Sequence, residues 1–347
     1  MTSIRSSFSS SSSSSSSSLS SRRHALQAIG AAAFAGLGLP GAQAQTLENV
    51  RVVCGFPAGG TADVMSRRVA EKLSAAGYAR GAAVVDNKTG ASGRIAVETV
   101  KSAIPDGASL LLTPHSVLTV YPGIYKRLSY DPFTDLQPVS LGATFAHGLA
   151  VGPLVPAGVT TVAGFLDWAR SHPELASYGS PAAGSIPHFI GALLNKNSGV
   201  DLKHIPYRGS VPGVTDVIGG QLAAMITPVG DFVPNARAGK LRILATSGPR
   251  RTPFTPEVPT FVEQGIPYID FDEWFAFYAP ARTPAAVVAA ASSAIARALQ
   301  DKAVIDSLAT FGLVAGGSTP EVLGRMTRQE FERWAPIVRQ IGFTAES

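Results

Sequence analysis

From about residue 46 onward, short apolar runs alternate with stretches in which apolar positions recur every three to four residues. Eight runs predict strands: NVRVVC (49–54), AAVVD (82–86), SLLLT (109–113), GLAVG (148–152), ASYGS (176–180), LKHIPY (202–207), LAAMIT (222–227) and LRILATS (241–247). Helical periodicity covers 61–76, 91–103, 160–171, 185–198, 210–219, 284–300, 301–311 and 319–341. This alternation predicts α/β architecture with largely parallel sheets. Two helix starts are marked by a Thr-Pro pair, Thr283-Pro284 and Thr319-Pro320, with threonine as cap and proline in the first turn. The stretch 248–273 is proline-rich and aperiodic, and reads as a long surface connection returning to the first part of the fold. A folded chain of about 300 residues exceeds one comfortable core, so two lobes are expected.

The first 44 residues stand outside this pattern. A serine run from Ser6 to Ser21 cannot build a core and is expected to be disordered. Arg22-Arg23, a Gly/Ala-rich apolar stretch and the A-x-A site Ala42-Gln43-Ala44 predict an export signal cut before Gln45, of the twin-arginine type. The whole chain carries 29 Lys+Arg against 24 Asp+Glu, a net charge of +5. Removal of 1–44 takes away Arg5, Arg22 and Arg23 and no acid, which leaves the remainder close to balance. With no Lys/Arg cluster interleaved with aromatics, a nucleic-acid partner is not expected. Cys54 is the single cysteine, so no internal disulfide forms, and its place in the first predicted strand suits a small buried residue.

The candidate chemistry begins at VVCGFPAGGTADVMSRRVAEKL (52–73), a strand, a Gly-Gly turn and a helix. A helix start presents unpaired N–H groups and the positive end of a dipole, which suit an anion. No P-loop lysine follows Gly59-Gly60 and no G-x-G-x-x-G is present, which argues for a carboxylate over a nucleotide phosphate. The plain alternative is a turn capped by Thr61. A second such start lies in YGSPAAGSIPHFIGALL (178–194), where Ser180 ends a strand and Gly184-Ser185 opens a helix carrying His188. Two opposed helix starts could hold the two ends of a dicarboxylate. Pro114, His115 and Ser116 follow the third strand, at the kind of strand end where open α/β sheets bind ligands.

These stretches, with VVDNKTGASGRIAVETVKSAIPDGASLLL, YKRLSYDPFTDLQPVS, HIPYRGSVPGVTDVIGGQLAAM, AGKLRILATSGPRR and PEVPTFVEQGIP in this order, resemble the substrate-binding receptors of tripartite tricarboxylate transporters, the Bug family. The resemblance runs from about Leu47 to Gly342. It implies an α/β, two-lobed type II periplasmic binding-protein fold with a ligand cleft between lobes formed by 46–147 plus 275–347 and by 148–274. It also implies a monomeric periplasmic receptor without cofactor or metal. That receptor would capture a small di-, tri- or aromatic carboxylate and hand it to membrane carrier subunits. In such receptors the loop matching FPAGGTAD offers backbone N–H groups to the ligand, which maps to Phe56, Pro57, Gly59, Gly60, Thr61, Ala62 and Asp63. Asp63 reads first as a first-turn acid favoured by the dipole, and alternatively as a partner for an amino or hydroxyl group of the ligand. Ser180, Gly184, Ser185 and His188 would face them from the other lobe, with His115 and Ser116, Tyr207, Gly209 and Ser210, and Thr227 and Asp231. Arg208 stands where lysine is more usual and is expected to be solvated. Ala192 replaces an acid common in relatives. A sensor for a signalling kinase is one alternative, and a hydrolase another. The latter is disfavoured because the chain has neither a G-x-S-x-G elbow nor H-E-x-x-H.

Overall fold

The computed structural model describes residues 46–345; the expected export signal lies outside the described residues. Among the described residues, eleven strands form two sheets. In chain order they are β1 (Arg51–Cys54), β2 (Val84–Asn87), β3 (Ser109–Pro114), β4 (Leu136–Phe145), β5 (His147–Val151), β6 (Ser177–Ser180), β7 (Lys203–Pro206), β8 (Ala224–Pro228), β9 (Arg242–Thr246), β10 (Glu273–Pro280) and β11 (Val314–Ala315). The first sheet runs β11-β4-β10-β3-β1-β2 and the second β7-β6-β8-β5-β9. All eight expected strands and all eight expected helices form, with ends shifted by a few residues.

The sheets are mixed rather than largely parallel. β1 pairs parallel with β2 and β3, and β6 parallel with β7 and β8. β10 runs antiparallel to β3 and β4, and β5 antiparallel to β8 and β9. The antiparallel strands are those through which the chain passes from one sheet to the other. β4 ends at Phe145 and β5 begins at His147, so one residue, Ala146, joins the sheets. The chain returns through 247–272 into β10, whose Glu273 pairs with Phe145. The chain thus changes sheet at Ala146 and again between Thr246 and Glu273. β4 and β10 escape periodicity for physical reasons. Pro138 and Gly142 interrupt the apolar alternation of β4, and every residue of β10 is buried, which erases alternation altogether.

Burial on both faces explains the branched runs. Val52, Val53, Cys54 and all of Leu110–Leu112 have no solvent exposure. Burial also pushes the Cys54 thiol up to about 11, so it packs as an inert apolar group. The helix Thr61–Leu73 buries Met65, Val69 and Leu73 against β1 and against the helix Ala285–Gln300. The last long helix, Pro320–Ile341, packs on β4 and touches the helix Ile186–Ser198 of the second sheet. Thr319 caps it as expected, accepting the Val322 N–H. Thr283 does not cap the helix Ala285–Gln300: its hydroxyl donates to Pro280 O, and Pro284 takes the cap position.

Candidate functional site

A narrow cleft lies between the two sheets, with a cavity volume of about 40 Å³ and about 540 Å³ of non-atom space once the solvent at its mouth is counted. The first sheet contributes the loop Phe56–Ala62, Ser116, Tyr121 and Phe145, and the second contributes Ser185, Ser210 and Asp231. His147 and Glu273 line it at the two crossing strands. Ten of the anticipated residues meet here: Phe56, Pro57, Gly60, Thr61, Ala62, Pro114, Ser116, Ser185, Ser210 and Asp231. The lining holds no lysine or arginine.

The first helix start differs from its expected form. Gly60, in extended conformation, occupies the cap position, and no side chain caps this helix. Thr61 is the first helical residue, and its N–H donates to Asp231 Oδ1 across the cleft at 2.9 Å. The Thr61 hydroxyl donates to the same oxygen, and Thr227 donates to Asp231 Oδ2 at 2.9 Å. A carboxylate of the protein thus already sits at this N-terminus. Asp63 acts within its own lobe. It accepts the Gly59 N–H at 3.0 Å, Asn87 Nδ2 at 2.9 Å and Arg67 Nε at 2.9 Å. Burial alone would raise its pKa, but these donors hold it below the usual carboxylate range.

The second start follows expectation. Ser185 caps the helix Ile186–Ser198 and no acid stands in its first turn. His188 supports that turn from inside, its Nδ1 accepting the Gly184 N–H at 3.1 Å. It stacks on His204 with ring centroids 3.9 Å apart, and His204 Nε2 lies 2.8 Å from Ser180 Oγ. Burial drives His188 down to about 3 and His204 down to about 4, so both rings are neutral at pH 7.

Several anticipated residues hold the cleft walls rather than line them. His115 is fully buried, bonded to Thr119 and packed with its ring 4.7 Å from that of Trp274, tilted by 35°. The Tyr207 hydroxyl donates to Asp216 at 2.7 Å, and Arg208 is exposed. Gly184 and Gly209 lie where the lobes touch. Both have positive φ, +80° and +95°. A Cβ on Gly209 would stand 2.5 Å from Pro57, and one on Gly184 would collide with Ile124.

Sequence reasoning missed His147 and Glu273. Their side chains meet at 2.9 Å, with His147 fully buried and Glu273 only 3% exposed. Burial opposes ionisation of Glu273, yet the His147 side chain and the Ser116 N–H lower its pKa overall. The two residues stand more than a hundred positions apart: Glu273 opens a strand that periodicity did not reveal, and His147 lies one residue before the expected strand 148–152. Among the described residues no group of three His, Cys, Asp or Glu could hold a metal ion, and no helix is long and apolar enough to cross a membrane.

Two α/β sheets crossed twice by the chain, with a cleft between them, define a two-lobed solute-binding protein of the periplasmic type. The chain belongs to the tripartite tricarboxylate transporter family of receptors, whose pattern matches residues 65–343. It is 31% identical over 295 residues to Protein BugT of Bordetella pertussis, covering 84% of this chain and 89% of BugT. A Rhodopseudomonas palustris protein solved with adipate is 30% identical at a TM-score of 0.80, covering 86% of this chain and 99% of that one. MatC of the same organism, with bound malate, is 27% identical at a TM-score of 0.77, covering 84% and 99%.

Proposed function

We propose that the protein is a periplasmic receptor that captures a small organic carboxylate between its lobes. It then passes the ligand unaltered to the membrane carrier of a tripartite tricarboxylate transporter. The observation that carries this reading is the cleft itself, bordered by two helix starts from opposite sheets and devoid of lysine and arginine. Such a site recognises an anion through backbone N–H groups and dipoles, without a fixed cation. The malate and adipate seen in two structural relatives are ligands of this kind.

A reading without catalysis fits the hydroxyls present. Ser185 Oγ donates to Ala182 O and accepts the His188 N–H, which is a cap's bonding rather than a nucleophile's. The protein acts as a monomer, with lobes centred on the two sheets. The close contacts at Gly184 and Gly209 belong to the closed form, and the carrier receives that form in preference to the open one.

Thermal-shift screening of the mature chain against small carboxylates, neutral sugars and amines tests the proposal, since a ligand of the folded state raises the melting temperature. Stabilisation by at least one carboxylate, recovered chemically unchanged, is expected. Stabilisation only by sugars or by amines lacking a carboxylate would overturn it.

A further inference from the structure

We propose that the ligand of this cleft is an amino carboxylate, with one carboxylate and one ammonium group on an apolar or aromatic body, rather than a di- or tricarboxylate. The inference rests on the carboxylate-receptor reading above and narrows it.

The charge inventory of the walls carries it. The lining includes two carboxylates, Asp231 and Glu273, and one imidazole, His147, with no lysine or arginine. Glu273 is almost wholly buried; its Oε1 accepts the Ser116 N–H at 3.2 Å and its Oε2 faces His147 Nε2 at 2.9 Å. Neither His147 ring nitrogen makes a hydrogen bond among the described residues although the ring is fully buried, so Nε2 meets Glu273 by proximity alone. Asp231 is half-buried and already occupies the first helical N–H of Thr61–Leu73. Arg67, the guanidinium nearest this start in sequence, is engaged by Asp63 at 2.9 Å.

The two helix starts therefore differ in what they still demand. A helix N-terminus is worth about half a positive charge. At Thr61 that charge faces Asp231 and Asp63; at Ile186 it faces no acid of its own first turn. One ligand carboxylate is matched at the Ile186 end. A second would enter a space walled by Phe56, Tyr121, Phe145 and Phe275, close to two protein carboxylates, with no cation to meet it. An ammonium in that place finds acceptors in Asp231 and Glu273, while the aromatic walls take the body of the molecule. The neutral state of His188 and His204, behind the Ile186 start, leaves carboxylate recognition there to the dipole alone.

Isothermal titration of the mature chain with isosteric pairs tests this. The pairs are 5-aminopentanoate with adipate, phenylalanine with benzylmalonate, and 4-(aminomethyl)benzoate with 4-(carboxymethyl)benzoate. In each pair, one carboxylate replaces the ammonium. The amino member of the best-bound pair is expected to bind about tenfold tighter or better. Asp231→Asn and Glu273→Gln are each expected to reduce that ratio by about tenfold. Where Glu273→Gln fails to show the wild-type melting transition, the Asp231→Asn ratio decides. Parity within the pairs, or tighter binding of the diacids, overturns this inference and leaves the carboxylate receptor standing. Binding of neither member of any pair, with a carboxylate outside the pairs stabilising the protein in the thermal-shift panel, overturns this inference alone; the receptor reading falls only if no carboxylate of that panel binds.

Discussion

The starts of the helices Thr61–Leu73 and Ile186–Ser198 face one cleft from opposite sheets, yet the protein treats them in opposite ways. At the first, the anion a helix dipole attracts is supplied from within: Asp231 crosses from the other lobe to Thr61, and Asp63 holds Gly59 and Arg67. At the second, the cap is a neutral serine, and the polar groups behind it are two stacked, neutral imidazoles. Two motifs that read alike as anion sites thus differ in occupancy. A helix start becomes a ligand site through what its surroundings leave unsatisfied.

The largest way to break this arrangement is to hold the lobes apart. Gly209→Val meets both a positive φ and the ring of Pro57, 2.5 Å from the added Cβ. Overpacking of this kind costs about 1–3 kcal/mol. Ligand affinity should fall by at least about tenfold, and small-angle scattering should show no compaction on ligand addition. Normal closure by this variant would show that the two lobes do not need to meet there.

Removing the inner anion sharpens the contrast. Asp231→Ala deletes the acceptor of the Thr61 N–H and hydroxyl, and charged hydrogen bonds of this kind contribute about 1.5–3 kcal/mol. The unliganded protein should open, read by scattering or by the fluorescence of Trp274, which lies buried at the second crossing. Adipate should also gain affinity, because the first start is now vacant. An unchanged unliganded form would mean that the Asp231 bridge does not hold the lobes.

The histidine pair behind the second start gives a pH signature. His188 and His204 are depressed to about 3 and about 4 from 6.5. The unfolded chain therefore binds protons that the folded one refuses, so their contribution is complete above about pH 6.5 and is lost as pH falls toward 4 and 3. Thermal melts across this window should show a shallower acid slope for His204→Gln than for wild type. The smallest effect is expected for Ser185→Ala, which removes one cap worth about 0.5–2 kcal/mol and leaves the backbone N–H of Ile186 in place. A complete loss of binding would make the Ser185 hydroxyl a direct ligand contact.

Much of this fold was legible in the sequence because its parallel strands lie between helix layers and read as continuous branched runs. β4 and β10 were not, since Pro138 and Gly142 break one and uniform burial flattens the other. That gap hid the contact of His147 with Glu273, because a site at a crossing exists only once the strand that opens at Glu273 is known. The loop Phe56–Ala62 and Ser185 were legible from glycine, serine and helix spacing. The use made of Asp231 was not, since it joins residues 170 positions apart through a tertiary contact that no local pattern encodes.

A ligand carboxylate held at the Ile186 start, with Asp231 keeping the Thr61 start, has a distinct signature in the backbone amides. Amide chemical shifts followed by NMR during titration with the tightest-binding carboxylate of the panel test it most directly. A large perturbation of the Ile186 amide is expected, with a Thr61 amide that stays bonded to Asp231. A dominant shift at Thr61, with Ile186 unmoved, would contradict it.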